Sequence, residues 1–362
     1  MAAHVPPKTR DLTLDLLRGY FLFVIIIDHL QSFPSVFEVF TAQGGLWVTA
    51  AEGFFFISGL LVGKLRLPEA KKSFKVARRK LLKRALQLYM ASVVLTLIFT
   101  IFAYLSSYTP SITLGISRDP IWLVIVKTLT FQYSYGLADM LPLYTLYLLF
   151  SIPALWLVAR RRAWLVALIS LAVWVIGFSA PEPVRMSKLF FSDTSWQFLF
   201  FSGLLVGCYF DQIKSRYKTI SRSTRRKIII GLSAVLALSF AASFGIFYHG
   251  YISANLRPLE SFLFDKLKLG PGRVMVFYIF ITLAYLAVKR YEATMVKWVG
   301  WFFLPLGQNS LYVYIVQSLI IFVPFGNPIK DNLLLASLEG LATLFVIWWL
   351  TKHKVLFKVI PR

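Results

Sequence analysis

An arginine and a histidine, Arg18 and His29, stand in one apolar run, LDLLRGYFLFVIIIDHLQ, from Leu14 to Gln31, with Asp15 and Asp28 as neighbours. The run is long enough to cross a bilayer. A charged residue at the centre of such a helix costs about 2.5–3.5 kcal/mol, so its presence points to a function and to a partner. His29 lies eleven positions after Arg18. At about 100° per residue this is three turns plus about 20°, which puts both side chains on one helix face. They lie about 16 Å apart along the axis, half a hydrocarbon core. One group serves the inner half of the membrane and the other the outer half. The bland alternative has Arg18 snorkelling to the inner interface and His29 resting among headgroups.

Glu52 adds to this pattern. It stands seven residues before Gly59, on the face of its segment expected to pack, and a glutamate buried there needs a partner. His29 is at a similar depth on the preceding segment. An imidazole held by a carboxylate is a general-base arrangement for hydrolysis or group transfer; the alternative is a structural ion pair or a protonated, hydrogen-bonded Glu52. Asp28 points about 100° away from His29 and would shape the mouth of a site or bond at the helix end. Asp15, three residues before Arg18, is placed to neutralise it. Asp139 precedes Leu141-Pro142 and is either a helix cap or a site residue. Asp193, before Trp196-Gln197, has the same two readings, and Trp196 is an interfacial anchor or a platform for a sugar. His4, His249 and His353 lie in tails or a loop and receive no role. Cys208, the one cysteine, reads as a small packing residue.

The elements that carry these residues follow from composition. Of 362 residues 58% are hydrophobic and 15% charged, with mean hydropathy +0.69, which excludes an ordinary soluble enzyme. The expected fold is an all-α membrane protein, a single domain over 1–362, with about ten spans: 14–32, 46–63, 85–106, 141–158, 164–179, 195–212, 228–248, 272–289, 307–324 and 333–351. The net charge of +23 arises because the basic clusters fall between spans, on one side. With ten spans, inside segments hold 29 Lys and Arg and outside loops eight. This charge bias replaces nucleic-acid binding as the explanation of the high pI. Both tails, 1–13 and 352–362, are then cytoplasmic, and no cleaved signal is expected. Ile121 to Tyr133 is apolar but short and interrupted by Lys127. It is expected to be re-entrant or interfacial, on the outer face.

Two spans share a phrase, FFFISGLLVG at 54–63 and FLFFSGLLVG at 198–207. Each holds a small-xxx-small pair, Gly59 with Gly63 and Gly203 with Gly207, suited to close helix crossings. We expect two independent tight crossings rather than a duplicated fold. No metal-ligand cluster, Walker loop, dinucleotide fingerprint or GxSxG elbow is present. No broken-helix inverted repeat of the transporter kind is evident either.

LDLLRGYFLFVIIIDHL resembles the first-helix motif of the acyltransferase-3 superfamily, and FFFISGLLVG its second-helix phrase. AAEGFFFISG with Glu52, ADMLPLYTLYLL at 138–149, SWQFLFFSG at 195–203 and LGQNSLYVY at 306–314 resemble the OpgC branch of membrane acyltransferases. Ser192-Asp193-Thr194 stands before Trp196 where that branch has an Asn-Pro phrase. The resemblance implies transfer of an acyl group, acetyl or succinyl, from cytoplasmic acyl-CoA to a hydroxyl of an extracytoplasmic glycan or glycolipid, in a bacterial inner membrane. It implies Arg18, with Asp15, as donor-binding residues, and His29 as base or transient acyl carrier. Glu52 would orient His29, with Asp28 beside it; Asp139, Trp196 and Gln197 would lie on the acceptor side, and no metal takes part. A succinyl carboxylate would want a further cation, for which Arg273 and Lys127 are candidates. The rival reading is a proton-coupled transporter or flippase that uses Glu52 and His29.

Overall fold

In lipid, runs of Leu, Ile, Val and Phe about twenty residues long have to satisfy every backbone N–H and C=O internally, and a helix does so. The computed structural model has that form. It describes residues 10–41, 46–106, 119–180, 193–250, 256–322 and 327–361. Among these there is no strand, only an isolated bridge between Phe33 and Lys330. The first helices are α1 (Leu12–Leu30), α2 (Glu38–Thr41), α3 (Ala50–Lys72), α4 (Phe74–Ser106) and α5 (Ile121–Leu129). A 3-10 turn, Gly136–Ala138, leads into α6 (Met140–Ala159), followed by α7 (Ala163–Ser179), α8 (Asp193–Cys208), α9 (Phe210–Thr219) and α10 (Arg222–His249). The rest are α11 (Arg257–Phe264), α12 (Pro271–Arg290), α13 (Glu292–Trp298), α14 (Gly300–Gln308), α15 (Ser310–Ile321) and α16 (Leu333–Lys352).

Eight of the ten predicted apolar segments each lie mainly on one helix; the sixth, 195–212, is divided between α8 and α9, and the ninth between α14 and α15. Among the described residues five helical stretches are long and apolar enough to cross a membrane: 74–105, 136–159, 222–246, 271–290 and 333–352. The apolar helices α7, α8 and α15 are shorter. Residues 121–133 form the nine-residue α5 and then turn at Phe131, which has φ 60°. Nine residues rise about 14 Å, too little to cross. The predicted outer loops lie partly outside the described residues, at 107–118, 181–192 and 251–255, as do residues 1–9 of the N-terminal tail.

Several expectations are corrected. The basic stretch 64–84, between the second and third predicted spans, is helical and not a connecting loop. α3 continues to Lys72, the chain turns at Ser73, and α4 starts at Phe74, so ten basic residues ride on two helix ends. Long aliphatic stems favour helix as well as Leu does and can carry their charges clear of the helix ends. The ninth segment, 307–324, is not one helix. α14 ends at Gln308 and α15 begins at Ser310, with Asn309 between them donating from its side chain to the Pro305 carbonyl at 2.9 Å. A Cβ on Gly19 would strike the Phe303 carbonyl, and one on Gly307 the Asp15 carbonyl. Those pairings run in opposite directions, so α14 lies antiparallel against α1.

The shared phrases make one crossing, not two. A Cβ on Gly59 would strike the Phe200 carbonyl and one on Gly63 the Leu204 carbonyl. In return Gly203 faces the Phe56 carbonyl and Gly207 that of Leu60. The partner numbers rise together, so α3 and α8 run parallel, small residue against backbone along both helices.

α1 sits at the centre, packed against α3, α12, α14, α15 and α16. Its N-terminal end is tied down by the Asp11–Lys64 ion pair at 2.6 Å and by Thr13 donating to Glu292. Its C-terminal end stops at Gln31, in the left-handed region at φ 56°. Beyond it, the Ile329 amide donates to Ser32 Oγ at 2.9 Å and the Val36 amide to Ser337 Oγ at 3.0 Å.

Candidate active site

The two polar ends of α1 reach different surroundings. At the N-terminal end, Arg18 Nη2 donates to Ser310 Oγ at the start of α15. A cavity of about 460 Å³ opens beside it, lined by Arg18, Arg66, Lys80, Lys83 and Arg84, and by no carboxylate. Its other wall is Leu141, Tyr144, Phe200 and Tyr314. Glu69 lies behind the lining and bridges Arg66 at 2.9 Å and Lys80 at 2.6 Å, fixing both side chains. Arg84 Nη1 donates to Gln87 Oε1 at 3.3 Å and feels the charges of Arg18 and Arg66. Five cations at a partly apolar pocket focus a positive potential, and Arg forks suit phosphate and carboxylate oxygens. Sequence patterning had explained four of these five as topology signals. The turn at Ser73 is what folds Arg66 and Arg84 onto Arg18.

Asp15 does not form the expected ion pair with Arg18. Its carboxylate takes Arg10 Nε at 2.5 Å, and Arg10 also donates to the Gln308 carbonyl at 3.4 Å. Asp15 still acts on Arg18 through space. Its position suits holding the α1–α14 junction more than touching a ligand.

At the C-terminal end, Asp28 and His29 lie near Glu52, Lys266 and Arg273. The ion-pair partner of Glu52 is Arg273 of α12 and not the expected His29. Arg273 Nε donates to Glu52 Oε1 at 2.5 Å, and both side chains are buried, Glu52 at 0% exposure. The other carboxylate oxygen accepts the Thr49 amide at 3.0 Å and the Thr49 hydroxyl at 2.5 Å, closing a capping box on α3. Glu52 therefore holds α3 to α12. Thr41 of α2 bonds Asp28. The Lys266 ammonium acts on both Asp28 and His29. Burial pulls that ammonium below its ordinary range, with Glu52 and Asp28 opposing the fall and Arg273 adding to it.

Lys266 is the residue that sequence reasoning missed. It lies between α11 and α12 in a segment held by tryptophans. Trp196 Nε1 donates to the carbonyls of Lys266 and Leu267, both at 3.1 Å, and Trp174 Nε1 to that of Leu269 at 3.0 Å. Lys268 Nζ donates to the Ala180 carbonyl at 2.6 Å, and the Lys268 amide donates to Asp265 Oδ1 at 2.6 Å. A basic residue in a short, Gly-Pro-bounded segment just before a span was the available signal.

The acceptor-side candidates have other duties. Trp196 is fully buried, 5.4 Å from the Phe55 ring, so it is neither an interfacial anchor nor an open sugar platform; it positions Lys266. Gln197 clamps α8 to α7, donating to the Ser170 carbonyl and accepting from the Ser170 hydroxyl, both at 2.8 Å. Asp139 makes no capping hydrogen bond and lies against Tyr314, whose hydroxyl donates to the Leu137 carbonyl at 3.0 Å. It remains a half-buried carboxylate near the seam between α6 and α15. The Asp193 side chain is outside the described residues. Of the two further cations named for an acyl carboxylate, Arg273 is paired with Glu52, and Lys127 of α5 is paired with Asp119 at 2.6 Å.

Comparison with known proteins gives one match. The family described as OpgC protein matches residues 10–353, nearly the whole chain, and the chain belongs to that family. No curated protein and no solved structure matches it. With its apolar helices, the family places the chain among acyltransferase-like membrane proteins.

Proposed function

We propose that this OpgC family member is a membrane O-acyltransferase. It moves an acetyl or succinyl group from cytoplasmic acyl-CoA to a hydroxyl of an extracytoplasmic glycan or glycolipid. The observation that carries the reading is the polarity of α1: a cavity with five cations at Arg18, and a half-buried charged cluster around His29 about 16 Å further along the same face. The phosphates of CoA match the cavity, and the N-terminal end of α15 at Ser310 faces it too. In this reading α1 runs from inside to outside, ten helices span the bilayer, and both termini are cytoplasmic, in a bacterial inner membrane.

The thioester reaches toward His29 with the acyl carbonyl outermost. A ring nitrogen of His29 takes the proton of the acceptor hydroxyl as its oxygen attacks the carbonyl carbon. The C–O bond forms, the C–S bond breaks, and the CoA thiolate recovers the proton from the imidazolium. Lys266 is placed to offset negative charge near His29 and Asp28. The Glu52–Arg273 pair fixes the wall behind them. A proton-coupled transporter using Glu52 is less well supported, because that carboxylate is already bound by Arg273 and Thr49.

The test is transfer itself. Purified protein in liposomes is given acyl-labelled acyl-CoA on one side and periplasmic glycan on the other. Labelled glycan supports the reading. Glycan crossing unmodified, with no use of acyl-CoA, overturns it in favour of transport.

A further inference from the structure

Gln317 of α15 is fully buried, and neither Nε2 nor Oε1 of its side-chain amide has a hydrogen-bond partner. An amide kept that way in a protein interior is unfavourable, and in a membrane interior water is scarce as a substitute. Its neighbours on the helix are satisfied. Tyr314 and Ser318 both donate to the Leu137 carbonyl and so hold the 3-10 turn before α6.

Its position gives it a direction. Gln317 lies seven positions after Ser310, about 20° short of two turns, so the two share a face of α15. Ser310 is the residue that accepts from Arg18, and α15 packs along α1. Gln317 therefore faces the α1 seam about 10 Å beyond Ser310, between the levels of Arg18 and His29. On α1 the same face carries Leu22 and Ile25 between those two residues. An unsatisfied amide thus lies at a height between the cation-lined cavity and the imidazole, where α1 presents apolar side chains.

We propose that Gln317 hydrogen-bonds a secondary amide of the pantetheine arm of the acyl thioester donor as that arm passes from the cavity toward His29. The inference rests on the acyltransferase reading. The chemistry is complementary: a secondary amide offers one C=O and one N–H, and Gln317 answers with Nε2 and Oε1, so a single ligand group satisfies both unpartnered atoms. Gln317 is a positioning residue. It sets how far the arm advances and touches no reacting atom.

The test compares a thioether analogue of acyl-CoA with the same analogue whose pantetheine amides are replaced by methylenes. Binding of both is measured on purified wild type, Gln317→Leu and Gln317→Met. Wild type is expected to bind the amide-bearing analogue on the order of tenfold more tightly, and both variants to lose most of that preference. Because each variant replaces an unsatisfied amide by an apolar group in an apolar seam, heat stability in detergent should hold or rise. The KM for glycan should not change. Equal discrimination in wild type and variants, or none in wild type, overturns the role of Gln317 while leaving the acyltransferase reading intact. Failure of wild type to bind or use any acyl-CoA overturns both.

Discussion

His29 and Glu52 stand in one neighbourhood, but their partners separate their roles, and variants should fall into two groups. His29→Asn keeps size and polarity and adds no charge, so the protein should insert and survive heating as wild type does. Single-turnover transfer should fall by on the order of 10²–10⁴ fold. Full activity of a folded His29→Asn protein would return His29 to a headgroup-facing residue. Glu52→Gln should instead act on stability. It removes the countercharge from Arg273, which is 4% exposed at its side chain, and an orphaned buried charge costs about 3–5 kcal/mol. The double variant Glu52→Gln, Arg273→Met should recover much of that loss, because both charges leave together. Thermal survival of the monodisperse protein in detergent reads both. If Glu52→Gln is as heat-stable as wild type yet inactive, the carboxylate serves catalysis directly and not through α12. Arg18 completes the set. Arg18→Ala should raise the KM for acyl-CoA and leave that for glycan unchanged, with partial rescue by Arg18→Lys, which keeps the charge and loses the planar fork.

The element that bears most on the site is the parallel pair α3–α8. α3 presents Glu52 at one end and Arg66 at the other, and α8 presents Trp196, which holds the Lys266 segment. Their relative height is set by the four glycines that let backbone meet backbone. Gly203→Val should force the pair apart at the Phe56 carbonyl, at a cost of about 1–3 kcal/mol or more from overpacking. Both ends of the site should suffer together: weaker acyl-CoA binding and slower transfer, with a lower yield. Gly231 is a control, since a Cβ there meets nothing within 4 Å, and Gly231→Ala should behave as wild type. Equal behaviour of Gly203→Val and Gly231→Ala in a thermal-shift assay would show that the crossing is slack.

At the scale of the whole molecule, the asymmetry of charge predicts orientation. Ten basic residues on the ends of α3 and α4, and seven more from Lys214 to Lys227, should face the cytoplasm. On a Cys208→Ser background, Arg222→Cys should be labelled by an impermeant thiol reagent only from the cytoplasmic side. Lys330→Cys should be labelled only from the outside. The reverse result at either position would dismantle the ten-span arrangement, and with it the supply of acyl-CoA to the Arg18 cavity.

Much of this architecture is local and was therefore legible in the chain. Apolar runs near twenty residues have only helices open to them in lipid, so the helices fall where hydropathy puts them. Helical periodicity alone puts Arg18 and His29 on one face, half a membrane apart, because both belong to one rigid rod. Residues on different rods were another matter. Periodicity says which face of α3 carries Glu52, but not which helix meets that face or at what height. The tertiary structure supplied Arg273, 221 positions away, as its partner. It folded Arg66 and Arg84 onto Arg18 through the turn at Ser73. It brought Lys266 in on a segment fastened by two tryptophan N–H groups. It also joined two similar phrases, read as separate crossings, into one. In each case the deciding quantity was the depth and rotation of one helix against another, and packing across the whole bundle sets these.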